Sequence, residues 1–410
     1  MDDQVIQNIL HIQPNAFVFL GIALVSYFLG RLIKSKIPLL QKLSIPVPFI
    51  GGLPVAGIIL LFRITDTAII DFDVSLNSIV LRFFLTMLAL FGTWKLISRG
   101  TWVSMLFWAL ALVLGVLQAL VGIGACEMLG LHKHLGLLVG TISMIGGYDT
   151  VNNFAPTIER LDAISGAAQM ASGVVTLGMI LSLMIGAPLG EYLISKYKLK
   201  NPNSTEFDNQ RLSRSILRSP RPFYQQHTVE CMKILALSFV CMALGDLFNH
   251  YFLQDVFIPD YVSCMIFAIL IRNFADKTNF FSVDGLALRT LTKVILTIFI
   301  ALSTCSLRLD MIGSVTWEVL LITFLELLLN VIYARWVYFN FLGRNFKGML
   351  FAVGGLSFSM GVCGNGLSNM QSLCEKYGPS TDGFLVLSIV GLIMLNVSNV
   401  FLINFLMMIF

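Results

Sequence analysis

Two stretches of this chain break from apolar helix into glycine and short polar residues, at matching places in its two halves. The first, Leu135 to Phe154, reads LGLLVGTISMIGGYDTVNNF and carries Ser143, Gly146, Gly147, Asp149, Thr150, Asn152 and Asn153. The second, Gly348 to Gln371, reads GMLFAVGGLSFSMGVCGNGLSNMQ and carries Ser359, Gly361, Gly364, Asn365, Gly366, Ser368 and Asn369. A half-helix that stops at membrane depth exposes unpaired backbone groups: its N-terminal end suits a carboxylate, and unwound carbonyls suit Na⁺. Glycine lets backbone approach a solute, while Ser, Thr and Asn add short hydrogen-bonding groups. Two such tips entering from opposite faces would meet and enclose one small polar solute. Non-helical backbone at that depth is tolerated only where it is buried in protein or lines a cavity.

The substrate candidates are therefore Ser143, Gly146, Gly147, Asp149, Thr150, Asn153, Ser359, Gly364, Asn365, Gly366 and Asn369, with Asn399 from the last apolar run. Thr150, Asn153, Asn369, Asn396 and Asn399 are candidate donors to a sodium ion. Asp149 is the sharpest single residue, because a carboxylate at membrane depth is costly. It suits a substrate ammonium, a cation or a proton. Glu326, inside ITFLELLLNVI, is a second buried acid, and Gln118 holds a similar place in the first half. Either could serve function or only structure.

The elements that must position these groups are membrane spans. Of 410 residues, 57% are hydrophobic and 12% charged, against about 25% charged in soluble domains. Mean hydropathy is +0.83. The runs are near twenty residues, which reads as helical spans rather than a barrel. Ten are expected, at 16–33, 47–63, 77–95, 102–126, 164–194, 231–250, 258–272, 286–306, 315–341 and 381–410, and the two broken segments read as re-entrant hairpins. The fold class is thus an all-α integral membrane protein. The N-terminus lacks the basic start of a signal peptide. The seven cysteines are scattered without metal spacing and read as space-filling thiols. A net charge of +4 on such a chain points to no nucleic-acid partner.

The halves repeat. Ile45-Pro46 recurs as Ile258-Pro259 and Leu129-Gly130 as Leu342-Gly343, both at a spacing of 213. Each half holds five spans and one hairpin, so the second is expected to enter the membrane inverted. This divides the chain into an N-terminal repeat (1–194, hairpin 135–154), a basic cytoplasmic linker (195–230) and a C-terminal repeat (231–410, hairpin 348–371). With both termini outside, twenty of the 27 lysines and arginines fall on the cytoplasmic side and four, Arg63, Lys133, Arg160 and Arg308, outside. The paired broken segments of inverted repeats point to a secondary transporter rather than an enzyme. An intramembrane aspartyl protease would need its GxGD glycine at Ala243 and a PAL tripeptide, and an aquaporin-like channel would need NPA motifs; neither set is present.

At these residues the chain resembles the bacterial sodium/glutamate symporter family. Ile45-Pro46-Val47-Pro48 followed by Gly51-Gly52-Leu53, the core Gly140 to Gly147, and Asn369-Met370-Gln371 followed by Glu375-Lys376-Tyr377-Gly378-Pro379-Ser380 carry the likeness. The resemblance implies ten spans in two inverted repeats, a moving domain that holds both hairpins, elevator-type motion and a homodimer in the bacterial inner membrane. It implies uptake of L-glutamate driven by Na⁺ as coupling ion, with no cofactor. Aspartate or a dicarboxylate is the neighbouring alternative. Three places depart from the family pattern. Tyr148 and Asp149 stand where it has histidine and glycine, Gly361 to Gly366 replaces its GATPTA run, and Asn396 replaces an aspartate.

Overall fold

Glycine, proline and asparagine set where the helices start and stop. Asn15 caps the first helix by accepting from the Val18 N–H at 2.9 Å, and Pro46 and Pro48 open the third, where a missing N–H costs nothing. In the computed structural model, which describes residues 10–73, 75–162, 166–202, 223–252, 260–278, 281–361, 363–378, 380, 383 and 394–410, the chain is helical almost throughout. The helices are α1 (Ala16–Lys36), α2 (Pro38–Lys42), α3 (Val47–Ile64), α4 (Ser75–Ala89), α5 (Trp94–Met128), α6 (Lys133–Leu137), α7 (Gly147–Asp162), α8 (Ala167–Tyr197), α9 (Phe223–Phe252), α10 (Asp260–Thr278), α11 (Gly285–Cys305), α12 (Trp317–Tyr333), α13 (Phe346–Phe358), α14 (Cys363–Tyr377) and α15 (Leu395–Ile409). A wider π turn carries α12 on to Phe341. Two short strands, β1 (Leu10–Ile12) and β2 (Ala68–Ile70), pair in parallel with Leu10 opposite Ala68.

Among the described residues, 7 helices are long and apolar enough to cross a membrane: α1, α3, α5, α8, α9, α11 and the α12 helix through Phe341. The expected third span is cut short. α4 ends at Ala89, the chain turns through Phe91 and Gly92, and α5 already begins at Trp94 rather than at 102. The 15 residues of α4 reach about 22 Å at 1.5 Å each, below the roughly 30 Å of a hydrocarbon core. The expected seventh span starts on residues outside the description, as does most of the first half of the tenth; the linker 195–230 is described only in part.

The helices pack as two bundles, and each draws on both halves of the chain. In one, α1, α3, α4, α9, α10 and α11 lie against one another. In the other, α5, α6, α7 and α8 join α12, α13, α14 and α15. The IPVPFIGG sequence builds the first bundle: a Cβ on Gly51 would sit 1.8 Å from the Ser26 carbonyl oxygen of α1. No side chain fits there, so α1 and α3 cross at backbone contact. Phe19, Ala23, Ala301, Leu302 and Cys305 fill the seam between α1 and α11. In the second bundle, α8 is the central post, packed on α7, α13 and α14.

Candidate functional site

Both broken segments turn back at glycines, and their turns meet. In the first, a π turn at Leu138–Ile142 breaks at Gly140, whose ψ is −115°. The chain then turns at Ile145 and Gly146, and α7 starts at Gly147 with φ +64°. In the second, Asn345 caps α13 by accepting from the Gly348 N–H at 2.8 Å. α13 stops at Phe358, and Gly361 (φ +116°) reverses the chain ahead of α14. The Gly361 N–H donates to the Met144 carbonyl at 2.5 Å. One backbone hydrogen bond thus joins the two tips, and α8 passes beside them: a Cβ on Gly178 would lie 3.0 Å from the Met360 carbonyl oxygen.

A cavity of about 650 Å³ opens against this junction, within the range typical of small-ligand sites, roughly 300–1,000 Å³. One wall is the first hairpin's tip, Ile145 to Asp149 with Asn152, together with Gly361 of the second. The facing wall comes from α3, α4 and α11 of the other bundle, including Asn77, Phe299, Ser303 and Ser306. Asp149 sits in the first turn of α7 and is exposed to the cavity. Among the described residues it makes no hydrogen bond or ion pair. Gly146 and Gly147 line the cavity as backbone beside it. The start of α7 therefore presents a partial positive charge and a free carboxylate at one place. That pairing suits a zwitterion.

The other candidates divide. Thr150 turns back and donates to the Gly146 carbonyl at 3.0 Å, which tightens the tip. Ser143 donates inward to the Leu138 carbonyl at 2.7 Å. Asn153 is exposed on α7 but is not among the cavity-lining residues. The second hairpin's polar side chains face α8 instead. Asn365 is 5% exposed and donates to Ser182 Oγ at 2.8 Å and the Met179 carbonyl at 3.1 Å. Asn369 is fully buried and donates to the Ser182 carbonyl and Ser357 Oγ at 2.8 and 2.9 Å. Gly364 packs on the Phe299 ring and Gly366 on the Gly354 backbone. Ser359 is buried, and its carbonyl accepts from Gln118 Nε2 at 3.0 Å. Asn399 accepts from Thr141 Oγ1 at 3.0 Å. The candidate sodium donors thus lie in separate hydrogen-bond networks; the Asn396 side chain lies outside the description.

Residues at the end of α3 and in the segments that follow α3 and α11 complete the cavity, and no motif in the sequence marks them. Arg63 and Arg308 line its mouth with Asp71 and Asp310. Arg63 donates to Asp71 at 2.7 Å and also to Asp310; Arg308 donates to both Asp310 oxygens at 3.1 and 3.0 Å. Burial pushes the Asp310 carboxyl up, but the hydrogen bonds and charges of Arg308 and Arg63 outweigh it and hold it below the ordinary range. The Arg308 backbone approaches the tip: Thr176 Oγ1, which donates to the Ser172 carbonyl at 2.8 Å, contacts the Tyr148 hydroxyl at 2.5 Å and lies 3.5 Å from the Arg308 carbonyl oxygen. No sequence signal joins residues this far apart, because the pairing exists only once the bundles dock.

The opposite end of the same seam is closed. Glu191 of α8 accepts from Lys376 Nζ at 2.8 Å, from the Tyr377 hydroxyl at 2.6 Å and from Ser44 Oγ. Ser372 donates to the Ser44 carbonyl, and Lys293 of α11 pairs with Glu375 of α14 at 2.9 Å.

The sequence profile of the sodium/glutamate symporter family matches residues 12–379. A protein of Haemophilus influenzae named sodium/glutamate symporter is 26% identical over 384 residues, covering 93% of this chain and 94% of that one. The protein of that name in Escherichia coli is 26% identical over 393 residues, covering 94% and 96%. These relatives are named as transporters, not enzymes. The chain belongs to the sodium/glutamate symporter family.

Proposed function

We propose that the protein carries L-glutamate into the cell together with Na⁺, and that the cavity beside Asp149 is its substrate site. The hydrogen bond between Gly361 and Met144 carries this reading, because it brings both broken segments to one point, with the cavity against it. The substrate's α-ammonium pairs with Asp149, and a carboxylate takes the N-terminal end of α7 at Gly147 and Tyr148. The arginines at the mouth draw the anion in, and their pairing with Asp71 and Asp310 keeps the mouth from binding it tightly. Na⁺ completes the site from unwound carbonyls of the tips and from the asparagines behind them. Aspartate is the nearest competitor, being one methylene shorter.

In this reading the chain has ten spans and two re-entrant hairpins in inverted repeats, works as a homodimer in the bacterial inner membrane, and keeps both termini outside. The bundle that holds both hairpins slides against the other, which serves as scaffold. The cavity opens on the side of Arg63 and Arg308 while Glu191, Lys376, Tyr377 and Ser44 close the far side, which corresponds to an outward-open state. A loaded site favours movement only by its differential affinity for the two states.

Uptake of labelled L-glutamate into proteoliposomes tests this. An inward Na⁺ gradient is expected to drive accumulation that a K⁺ gradient does not, with aspartate competing more weakly. Uptake that is indifferent to Na⁺, or no uptake by folded protein, would overturn the reading.

A further inference from the structure

Glu326 lies in the middle of α12, is 0% exposed, and neither of its carboxylate oxygens has a hydrogen-bonding partner. It points at the break in the first hairpin: its Oε1 lies 3.4 Å from where a Cβ on Gly140 would be and 3.5 Å from the same point on Gly122 of α5. The Gln118 carbonyl oxygen lies 2.7 Å from that Gly140 position. Among the described residues, no charged side chain faces Glu326 from α5, the first hairpin, α8 or α13. The titratable groups along this helix are Glu318 in its first turn, Tyr333, which donates to the Leu110 carbonyl at 2.7 Å, Arg335, which donates to the Tyr197 hydroxyl at 2.5 Å, and Tyr338.

A bare carboxylate buried in this way costs several kcal/mol, so something positive must neutralise it. The surroundings point the same way. Gln118 Oε1 and Asn330 Oδ1 are also buried without a partner, and Asn330 sits one turn along from Glu326, donating to its carbonyl at 2.8 Å. These four orphaned oxygens lie on two packed helices, α5 and α12; an orphaned donor, Asn399 Nδ2, sits beside the same break, its Oδ1 accepting from Thr141 next to Gly140. Gln118 also ties the place to the second hairpin through the Ser359 carbonyl. A charge bound here therefore bears on both tips, although none of Glu326, Gln118 and Asn330 lines the ligand cavity.

We propose that Glu326 binds one monovalent cation, Na⁺ or a proton, at the break of the first hairpin, apart from the substrate cavity. The inference rests on the reading of the chain as a cation-coupled carrier, but its test needs no glutamate. Purified wild type and Glu326→Gln would be compared for bound ²²Na⁺ and for a carboxylic-acid band in the infrared. If the cation is Na⁺, the wild type binds one more ion per chain than Glu326→Gln, and Na⁺ raises its Tm further. If it is a proton, the Na⁺ counts are equal and the wild type shows a carboxylic-acid band that Glu326→Gln lacks. Equal counts with no difference band would overturn the proposal. Should Glu326→Gln not fold, Glu326→Asp replaces it: at least a threefold weaker Na⁺ affinity or a shifted acid band supports the proposal, and wild-type values for both overturn it.

Discussion

In the first hairpin, Asp149 and Asn152 look into the cavity with no partner among the described residues, whereas in the second the Nδ2 groups of Asn365 and Asn369 donate to Ser182, Ser357 and the Met179 carbonyl, away from the cavity. The two segments look alike as strings, each a glycine break followed by small polar residues. Their surroundings make them different. The first tip faces the seam between the bundles, where the facing wall stands off and leaves space. The second tip lies along α8 inside its own bundle, and only Gly361 of it reaches the cavity. In the proposed site the first hairpin touches the ligand and the second braces the first. Polar groups left free are available to bind, while those already paired contribute rigidity.

This contrast can be broken most sharply at Asp149. Asp149→Ala is expected to lower glutamate uptake about ten- to a hundredfold, since a charge-assisted pair to a ligand is worth roughly 1.5–3 kcal/mol and truncation leaves the ammonium unpaired. Its Tm should stay within error of wild type, because the side chain has no protein partner to lose. Asn369→Ala should do the reverse. It strands the Ser182 carbonyl and leaves a small cavity, for a loss of about 2–3 kcal/mol read as a lower Tm in thermal melts. Gly361→Ala sharpens the junction itself: φ of +116° and a Cβ 3.0 Å from the Met179 Cγ predict a cost of about 1–3 kcal/mol, with uptake falling alongside stability. Tyr148→Phe removes one hydrogen bond to Thr176 and should cost about 1 kcal/mol.

The smallest effect is in pH. The Asp310 carboxyl is held below its ordinary value of 3.8 by Arg308 and Arg63. A depressed carboxylate contributes stability that is complete above the unfolded value and is lost as pH falls through the folded one. The quartet at the cavity mouth should therefore be insensitive to pH from neutrality down to about 4 and weaken only below 3.8. Asp310→Asn should remove that acid-side loss in pH-dependent melts.

Much of the plan was legible in the sequence because glycine punctuates it. Gly146 with Gly147, and Gly361, mark where the hairpins turn, and the structure turns there. The IPVPFIGG and NMQ…EKYGPS motifs carried the family resemblance without saying why. In the fold the first is held by Lys34, which donates to the Ile45 carbonyl at 2.6 Å, while Lys376 and Tyr377 of the second bind Glu191, which also accepts from Ser44 just ahead of the first. They close one end of the seam. What could not be read was which asparagines are free. Asn365 and Asn152 have the same chemistry and similar settings in the string, and Ser182, which decides the case for Asn365, sits on another helix. Arg308 was hidden for the same reason. It reads as one outer-loop charge until the fold sets it beside Arg63 and the Thr176–Tyr148 pair. The short α4 was missed because Phe91 and Gly92 continue an apolar run while the backbone turns.

The most direct measurement is equilibrium binding of L-glutamate to purified protein at saturating Na⁺, with Tm recorded on the same samples, for wild type, Asp149→Asn and Asn365→Ala. The account predicts that Asp149→Asn binds at least tenfold more weakly at an unchanged Tm, and that Asn365→Ala loses mainly stability. Wild-type affinity in Asp149→Asn would contradict it and move the ligand away from the first hairpin's tip.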